Sequence, residues 1–252
     1  MRKLETRIGS PIWRLRNYGL RALVIYLWFD KVKGRRSTQI NQAIIRSNAE
    51  LCEYLDTVTG IKVESSTINS SIESFCEKFI QANRSVGGSK KSASDLVSTR
   101  TRLLVLASVS LATQPQVYLE TGTQHGTTSS FMAKEFSGLI TEMYSVDVSP
   151  MPRILSSDKI RYLILARKPR KSLIGLSRDL REKSTLFFHD SDHSFENMSW
   201  ELDFAWNTLG AKAVVFDDAL GNRAFVDFVN QNRLKSCICQ FDDGPAVGII
   251  VR

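Results

Sequence analysis

The sequence predicts an α/β fold: a mainly parallel sheet of seven strands with helices on both faces, closed by a C-terminal β-hairpin and preceded by a helical N-terminal extension. From residue 116 onward, short apolar runs alternate with stretches of helical periodicity, which is typical of strand–helix–strand units. The last two apolar runs are separated by DDGP (242–245), a turn sequence that favours a hairpin. A length of 252 residues, with 42% hydrophobic and 24% charged side chains, suits a well-cored domain and excludes collagen-like and wholly disordered chains.

Three helices are predicted ahead of the sheet. Apolar residues at helical spacing indicate the first over residues 38–58, with Ser37 as its cap, and the second over residues 68–82. A small, polar linker over residues 85–92 leads to a third helix that runs to about Leu111. We therefore divide the chain into a basic amphipathic arm (1–36), a helical extension or substrate cap (37–94) and a C-terminal domain (95–252).

Seven apolar runs are predicted as the strands of the sheet. In open parallel sheets, ligands bind beyond the carboxyl ends of the strands, so the residues that follow each run form the candidate site. The runs cover residues 117–119, 143–146, 172–174, 185–188, 213–216, 237–241 and 246–251.

The positive charge of the chain is concentrated in the arm. Lys and Arg number 34 against 26 Asp and Glu, a formal charge of +8, and residues 1–36 alone hold ten basic and two acidic side chains. The rest of the chain is balanced, so a uniform nucleic-acid-binding surface is not indicated. The apolar run 22–29 is too short to cross a bilayer. Two interpretations of the arm are compatible with its sequence. It forms a helix that packs on the protein or on a second subunit of a homo-oligomer, or it forms a helix that lies on an anionic membrane surface.

Four cysteines are present, and none belongs to a CxxC pair. This pattern predicts neither a zinc framework nor a dense disulfide scaffold. It favours reduced thiols and a cytoplasmic location, with membrane association through the arm as an open addition.

Glycines and a carboxylate follow the first two predicted strands. Gly122 and Gly126 let the backbone turn tightly and approach a ligand closely. Asp147 ends the second strand, where an acidic side chain accepts hydrogen bonds from a ribose diol, although a strand-end cap fits the same residue. Ser177 and Asp179 follow the third predicted strand, where short polar groups suit the edge of an adenine.

The fourth and fifth predicted strands end in the most distinctive residues. HDSDH (189–193) supplies two carboxylates and two imidazoles, and the next strand ends in Asp217 and Asp218. Adjacent strands that both end in aspartate bring carboxylates within reach of one hard cation, so Asp190 with these two predicts a site for Mg²⁺ or a similar metal. Each aspartate alone also suits an ordinary strand end, but all three histidines of the chain fall in the strand-end loops, which favours a functional site.

These segments resemble class I S-adenosylmethionine-dependent methyltransferases, a Rossmann-like family. They look closest to its metal-dependent O-methyltransferases with a D-x-D-H motif (methyltransferase family 24-like), which act on sugars, macrolides and catechols. The resemblance covers about residues 95–252. It is carried, in the family's order, by VYLETGTQHGTTS, YSVDVSP, IGLSRDL, FFHDSDHSFENM and VVFDDA.

The resemblance implies a role for each candidate residue. A general base is implied at His193. In the first loop Gln124 and His125 depart from the family's smaller residues, and Ser191 replaces a glycine of the fourth-strand motif. The implied cofactor contacts are Glu120, Gly122 and Gly126 with methionine and ribose, Asp147 with the ribose hydroxyls, and Ser177 and Asp179 with adenine; the implied metal ligands are Asp190, Asp217 and Asp218.

The predicted function is S-adenosylmethionine-dependent methyl transfer to a hydroxylated small molecule or a glycan, assisted by Mg²⁺. A metal that chelates a substrate diol would lower the pKa of its hydroxyl, and His193, with an ordinary pKa of about 6.5, would take the proton. One alternative is a non-catalytic binding or scaffold protein on the same fold. Another is a nucleic-acid methyltransferase that uses the arm and RKPRK (167–171), although no base-stacking motif accompanies them.

Overall fold

The computed structural model describes residues 42–85, 93–123, 126–148, 157–165, 169–241 and 244–252 of the chain. Several sequence predictions fall on residues outside these ranges, and no helix within the ranges is long and apolar enough to span a membrane. The predictions that lie outside concern the basic arm with Ser37, most of the linker (86–92), Gln124 with His125, and Arg167 with Lys168.

Eight strands form one sheet in the described part of the chain. Their order across the sheet is β1-β7-β8-β6-β5-β2-β3-β4. The strand β8 runs antiparallel to its neighbours β6 and β7, and the other neighbouring strands are parallel. The predicted class, a mainly parallel Rossmann-like sheet with a C-terminal hairpin, is confirmed, with eight strands rather than seven. The strands are β1 (Ala43–Ile45), β2 (Val117–Thr121), β3 (Glu142–Asp147), β4 (Ile160–Ile164), β5 (Thr185–His189), β6 (Ala213–Phe216), β7 (Ser236–Cys239) and β8 (Val247–Val251).

Seven α-helices of the described ranges accompany the sheet. The sixth continues into a short π-helical segment, Phe204–Thr208. The helices are α1 (Asn48–Thr59), α2 (Ser65–Ser85), α3 (Ala93–Thr113), α4 (Thr127–Glu135), α5 (Pro169–Leu180), α6 (Phe195–Asp203) and α7 (Ala224–Asn232).

Each face of the sheet has its own apolar core, because successive strand residues point to opposite faces. Tyr118 and Phe188 pack with residues of α1 to α4 on one face, whereas Leu119 and Phe187 pack with residues of α5 to α7 on the other. Burying each large apolar side chain of this kind contributes about 1.5–3 kcal/mol. The strands β2, β5, β6 and β8 are buried along their whole length, which explains their continuous apolar runs in the sequence.

One predicted strand is wrong. Residues 172–174 lie in α5, whose buried residues Leu173, Ser177 and Leu180 recur at the spacing of one helix face. The strand that precedes this helix is β4, which the sequence prediction missed. It lies at the edge of the sheet and is partly exposed, and the apolar run YLILA (162–166), which overlaps it in the sequence, was not assigned to a strand.

The first predicted helix begins later than expected. Residues 43–45 form β1, which pairs in parallel with β7. The helix α1 follows Ser47, whose hydroxyl accepts a hydrogen bond from the N–H of Glu50 at 3.2 Å. Since β1 joins the sheet and Leu51 enters the same core as α3, residues 42–85 fold with the sheet rather than as a separate extension. Whether this segment also caps a substrate stays a prediction.

Candidate active site

The strand order reverses between β2 and β5, and in sheets of this kind the crevice at such a point binds ligands. From β2 the chain continues to β3 and β4 on one side, and then crosses to place β5 on the other side of β2. Thr121, the last residue of β2, pairs with Val146 of β3 and with His189 of β5. The residues that come next on these three strands therefore meet at one edge. They are Gly122, Asp147 and Asp190.

Gly122 has a structural reason to be glycine. Its φ is +92°, and a Cβ atom there would lie 2.1 Å from the carbonyl oxygen of Asp190. The N–H of Asp190 donates to the carbonyl of Thr121 at 2.9 Å, and that of Gly122 donates to the carbonyl of Val146 at 2.8 Å. The missing side chain therefore lets the ends of three strands close together.

Glu120, near the end of β2, and Gly126, just before α4, lie on either side of the first loop. Glu120 is fully buried and accepts hydrogen bonds from Thr128 and, at 3.3 Å, from Ser145. Burial and the negative charge of Asp190 raise the pKa of Glu120, whereas the hydrogen bonds from Thr128 and Ser145 lower it. The result is a pKa of about 8. At neutral pH this carboxyl is therefore mostly uncharged. Gly126, with φ +74°, precedes the first turn of α4, whose N–H groups lack partners within the helix.

The structure separates the residues predicted for ribose and for adenine. Asp147 is half-buried at the carboxyl end of β3, beside Gly122. Ser177 and Asp179 lie in the last turns of α5, which returns from the carboxyl edge to the start of β5, so they lie at the opposite edge. Ser177 is buried and donates to the carbonyl of Ile174, whereas Asp179 is exposed. The structure does not bring these two residues to the site, because the strand on which their placement depended is a helix.

Asp190, His193 and Asp217 form a tight cluster beyond the ends of β5 and β6. One ligand atom from each lies within 4.8 Å of the others. The Nε2 atom of His193 is 3.5 Å from Asp217 Oδ2 and 3.9 Å from Asp190 Oδ1. The two strands pair in register, with His189 opposite Phe216, and the N–H of Asp217 donates to the carbonyl of His189 at 3.0 Å. Strand pairing thus fixes the two aspartates next to each other.

The third predicted metal ligand, Asp218, does not belong to this cluster. Its φ is +53°, an uncommon conformation for a non-glycine residue, and it turns the chain towards Gly221. The N–H of Gly221 donates to the carbonyl of Asp218 at 2.8 Å, and a Cβ atom at Gly221 would lie 2.1 Å from Asp218 Oδ2. The Asp218 carboxylate thus folds against its own turn, and His193 takes the place predicted for it beside Asp190 and Asp217.

Arg102 of α3 holds the cluster together, and sequence reasoning missed it. Its Nε and Nη2 atoms donate to the two carboxylate oxygens of Asp217, each at 2.8 Å. Its Nη1 atom lies 3.4 Å from Asp190 Oδ2. Arg102 and Asp217 are 115 positions apart in the sequence, and no motif around Arg102 signals the contact. Only the path of α3, which ends just before β2 begins, brings this side chain to the carboxyl edge.

The donors predicted for a divalent metal are therefore already engaged. Both oxygens of Asp217 accept hydrogen bonds from Arg102, and Asp190 faces the same guanidinium. A hard cation takes carboxylate oxygens at about 2.0–2.6 Å, which would place it beside the positive charge of Arg102. Asp190, His193 and Asp217 lie close enough together to hold a metal ion, but with Arg102 in this position the ion would share the two carboxylates with a positive charge.

Burial and these contacts set the charges of the cluster. Burial raises the pKa of Asp217, but Arg102 and His193 outweigh it and hold the pKa well below its usual range. Burial raises the pKa of Asp190 to about 7 against the opposing charge of Arg102. Burial lowers the pKa of His193, yet the carboxylates of Asp217, Asp190 and Asp218 outweigh it and raise the pKa to about 9. At neutral pH His193 therefore carries a proton, and the base role that the sequence predicts for it begins only near pH 9.

A second buried cluster, a hydrogen-bond network around Glu201, connects the ends of β2 and β5. Glu201 of α6 accepts hydrogen bonds from His189 Nδ1 at 2.7 Å, from Thr121 at 2.5 Å and from Ser191 at 2.8 Å. Burial raises the pKa of Glu201, but His189 and these hydroxyls outweigh it and lower the pKa overall. The ring of His189 also stacks on Phe216, with centroids 4.0 Å apart. His189 thus joins the strand ends structurally, and Ser191 takes part in the same network.

Part of the basic segment 167–171 is engaged within the protein. Arg170 lies at the start of α5, its Nη2 atom 3.2 Å from a carboxylate oxygen of Glu196. Its guanidinium lies 5.2 Å from the ring centroid of Trp200. These contacts give Arg170 a structural role without a nucleic acid.

Three solved structures, two of which are described as methyltransferases, are similar to this chain at low sequence identity. One is a "putative O-methyltransferase from Klebsiella pneumoniae", at 16% identity and TM-score 0.49, covering 74% of this chain and 96% of that one. Another is the methyltransferase domain of bacterial CtHen1, at 12% identity and TM-score 0.43, covering 61% and 98%. A third is CmcI-N160 in its apo form, at 13% identity and TM-score 0.44, covering 66% and 74%. No family model and no curated protein sequence matches the chain. At these levels of similarity we base no functional conclusion on the matches.

Proposed function

We propose that the chain is an S-adenosylmethionine-dependent methyltransferase that methylates a hydroxyl of a small molecule or a glycan. The observation that carries the proposal is the meeting of Gly122, Asp147 and Asp190 at the point where the strand order reverses. A glycine-containing loop ahead of a helix N-terminus, with an acidic residue at the end of the next strand, suits a ligand that has a charged tail and a ribose.

The cofactor contacts follow from this placement. Gly122 and Gly126, both at positive φ, form the turns of the loop between β2 and α4, and the N-terminus of α4 would offer N–H groups to the carboxylate of a methionine moiety. Asp147 at the end of β3 is placed to accept hydrogen bonds from the ribose hydroxyls. Glu120 lies beneath the loop, buried and mostly uncharged at neutral pH, so it acts through the shape and hydrogen bonds of the loop.

The cluster beside the crevice would position the acceptor. A bound S-adenosylmethionine supplies an electrophilic methyl group, and its transfer requires an acceptor oxygen in line with the carbon–sulfur bond, so orientation provides much of the rate. His193 is half-buried and protonated at neutral pH, with its Nε2 atom facing the carboxylates of Asp217 and Asp190, and we propose that its ring lies beside the acceptor and orients it. Above about pH 9 the same ring can accept the hydroxyl proton. Assistance by Mg²⁺ stays a prediction from the sequence, and we assign no step to it because Arg102 engages the donors.

The remaining predictions about partners and location also stand as proposals. Contact of the basic arm with a membrane surface or with a second subunit concerns residues outside the described ranges. A cytoplasmic location is proposed from the cysteine pattern alone.

A transfer assay with an isotope-labelled methyl donor tests the proposal. The protein is incubated with labelled S-adenosylmethionine and separate panels of phenols, catechols, sugars and RNA, and label in the acceptor is measured. We expect transfer to at least one hydroxylated compound, and its loss in Asp147→Asn. The matched control is Asp158→Asn, an identical change at an exposed position.

The other outcomes distinguish the alternatives. Labelling of RNA alone would support the nucleic-acid methyltransferase. Binding of the methyl donor without transfer to any acceptor would favour the non-catalytic binding protein.

A further inference from the structure

We infer that Arg102 is the built-in cation of this site: its guanidinium takes the position that a divalent metal would need, and the protein excludes Mg²⁺ from the cluster. The inference concerns the cluster itself and deepens the proposed function, because it states what replaces the metal that the sequence predicts. It is tested below without a methyl donor, so its failure and that of the proposed function are distinguishable.

The contact between Arg102 and Asp217 has the geometry of a strong ion pair. Two N–H groups of the guanidinium reach the two oxygens of one carboxylate at 2.8 Å each, the parallel arrangement that binds most tightly. A third nitrogen lies 3.4 Å from Asp190, so one planar cation faces both carboxylates. The Asp217 carboxylate is nearly inaccessible to solvent, with a side-chain exposure of 2%. A metal could reach it only by displacing the guanidinium.

The fold holds Arg102 in this place. Its neighbours in α3, Thr101 and Leu103, are buried at 4% and 0% exposure, so the helix backbone is fixed against the sheet. Leu106, one turn further along the helix, is also fully buried. A guanidinium stays charged at all working pH values, so it neutralises the carboxylates whether or not metal is present.

Displacing Arg102 would break its ion pair with Asp217 and Asp190. An entering ion would take over the two carboxylates, but the guanidinium, whose side chain is 23% exposed, would lose both partners and its two hydrogen bonds. A divalent ion entering the cluster would therefore have to compensate both its own dehydration and the loss of this pair. The guanidinium already contacts the two carboxylates in the folded protein, so it meets no further dehydration cost.

The consequence concerns the acceptor. A metal would bind two neighbouring oxygens of a diol, whereas a guanidinium that already holds Asp217 leaves no coordination sites to chelate one. Under the proposed function, an acceptor with a single hydroxyl therefore suffices, and a vicinal diol is not required.

The test is a titration of Mg²⁺ and of Mn²⁺ into the unaltered protein, three variants at Arg102 and Arg100, and two variants that carry Asp217→Asn, with binding measured by calorimetry and stability by thermal unfolding. Arg102→Gln removes the cation, Arg102→Lys keeps it as a single charge, and Arg100→Gln is the control. Arg100 lies in the same helix and pairs with Glu73, but both side chains are more than half exposed.

We expect Arg102→Gln to gain a single Mn²⁺ or Mg²⁺ site and a metal-dependent rise in Tm. The Tm should rise because a ligand that binds only the folded state raises its stability. The unaltered protein, Arg100→Gln and Arg102→Lys should show no saturable binding at millimolar metal. The gained site should disappear in the double variant Arg102→Gln/Asp217→Asn, which locates it in the cluster.

Saturable binding of Mg²⁺ or Mn²⁺ to the unaltered protein that is lost in Asp217→Asn would overturn the inference. So would an Arg102→Gln protein that folds and binds no metal. If Arg102→Gln does not fold, the unaltered protein and Arg102→Lys decide: metal binding by either one contradicts a built-in cation, and its absence from both supports it.

Discussion

Replacing Glu120 with Gln should stabilise the protein in a pH-dependent way. Glu120 is buried, and burial raises its pKa from an ordinary value of 4.5 to about 8. The folded state therefore keeps a proton on this carboxyl that the unfolded chain releases. Between these two pH values the folded state binds more protons than the unfolded state, so stability falls as the pH rises through this window. Below it both states are protonated, and above it both are ionised.

The magnitude follows from the difference between the two pKa values. A difference of one in pKa corresponds to about 1.4 kcal/mol, so Glu120 should reduce the free energy of unfolding by about 4 kcal/mol more at pH 8 than at pH 5. Thr128 and Ser145 donate to different oxygens of Glu120, so Gln keeps one acceptor for Thr128 while its NH2 group faces the Ser145 hydroxyl and can donate to it, and Gln does not titrate.

Urea unfolding at pH 5 and at pH 8 measures this effect. The difference in unfolding free energy between Glu120→Gln and the unaltered protein should shift in favour of the variant by several kcal/mol as the pH rises. Glu182→Gln, the same change at an exposed residue, should show no such shift. Equal differences at the two pH values for Glu120→Gln would refute the reasoning that Glu120 is buried in its neutral form.

Three further predictions concern the candidate site. Gly122→Ala should reduce the free energy of unfolding by about 2 kcal/mol or more, because the φ of Gly122 is +92° and a Cβ atom there would overlap the carbonyl oxygen of Asp190. Gly138→Ala, which has open space around it, is the control and should not reduce it. Urea unfolding compares the two variants. His193→Gln should lower the turnover number while leaving the calorimetric affinity for S-adenosylhomocysteine unchanged, and an unaltered turnover number would remove His193 from the reaction. In the same titration Ser177→Ala should match the unaltered protein, because Ser177 lies at the opposite edge of the sheet, and a large loss of affinity would place adenine there after all.

The central strands could be predicted from the sequence because they are buried on both faces. The strands β2, β5 and β6 have no exposed residue, so they stand out as apolar runs that stop abruptly at polar residues. That stop is the signal that placed Gly122, Asp190 and Asp217 at strand ends, and strand pairing brings those ends together. Burial therefore made the local pattern strong enough to predict these strand ends, and the roles of the residues there stay predictions.

The edges of the sheet carry no such signal. In β4 only Arg161 interrupts the apolar residues, and the run YLILA (162–166) does not by itself distinguish a strand from a helix; β1 has only three residues, the first two of them exposed. The apolar residues of α5 include Leu173, which a short window cannot distinguish from part of a strand. The misplaced strand then carried Ser177 and Asp179 to the wrong edge.

Contacts between residues far apart in the sequence could not be predicted from local sequence patterns. Arg102 lies in an apolar helix and meets Asp217 only because α3 packs across the sheet, and the predicted ligand Asp218 is turned away by a positive φ that its sequence does not indicate. The cation that pairs with the carboxylates of Asp190 and Asp217 thus depends on tertiary packing. The residue types at the strand ends, taken alone, predict a metal ion there.

Calorimetric titration of S-adenosylhomocysteine, with and without Mg²⁺, tests the central claim most directly, namely that the carboxyl edge around Gly122 and Asp147 binds this cofactor. We expect micromolar binding of one molecule per chain, with the same affinity in the presence and absence of Mg²⁺ because Arg102 already neutralises the cluster. The absence of binding under both conditions, in protein that unfolds cooperatively, would contradict the claim.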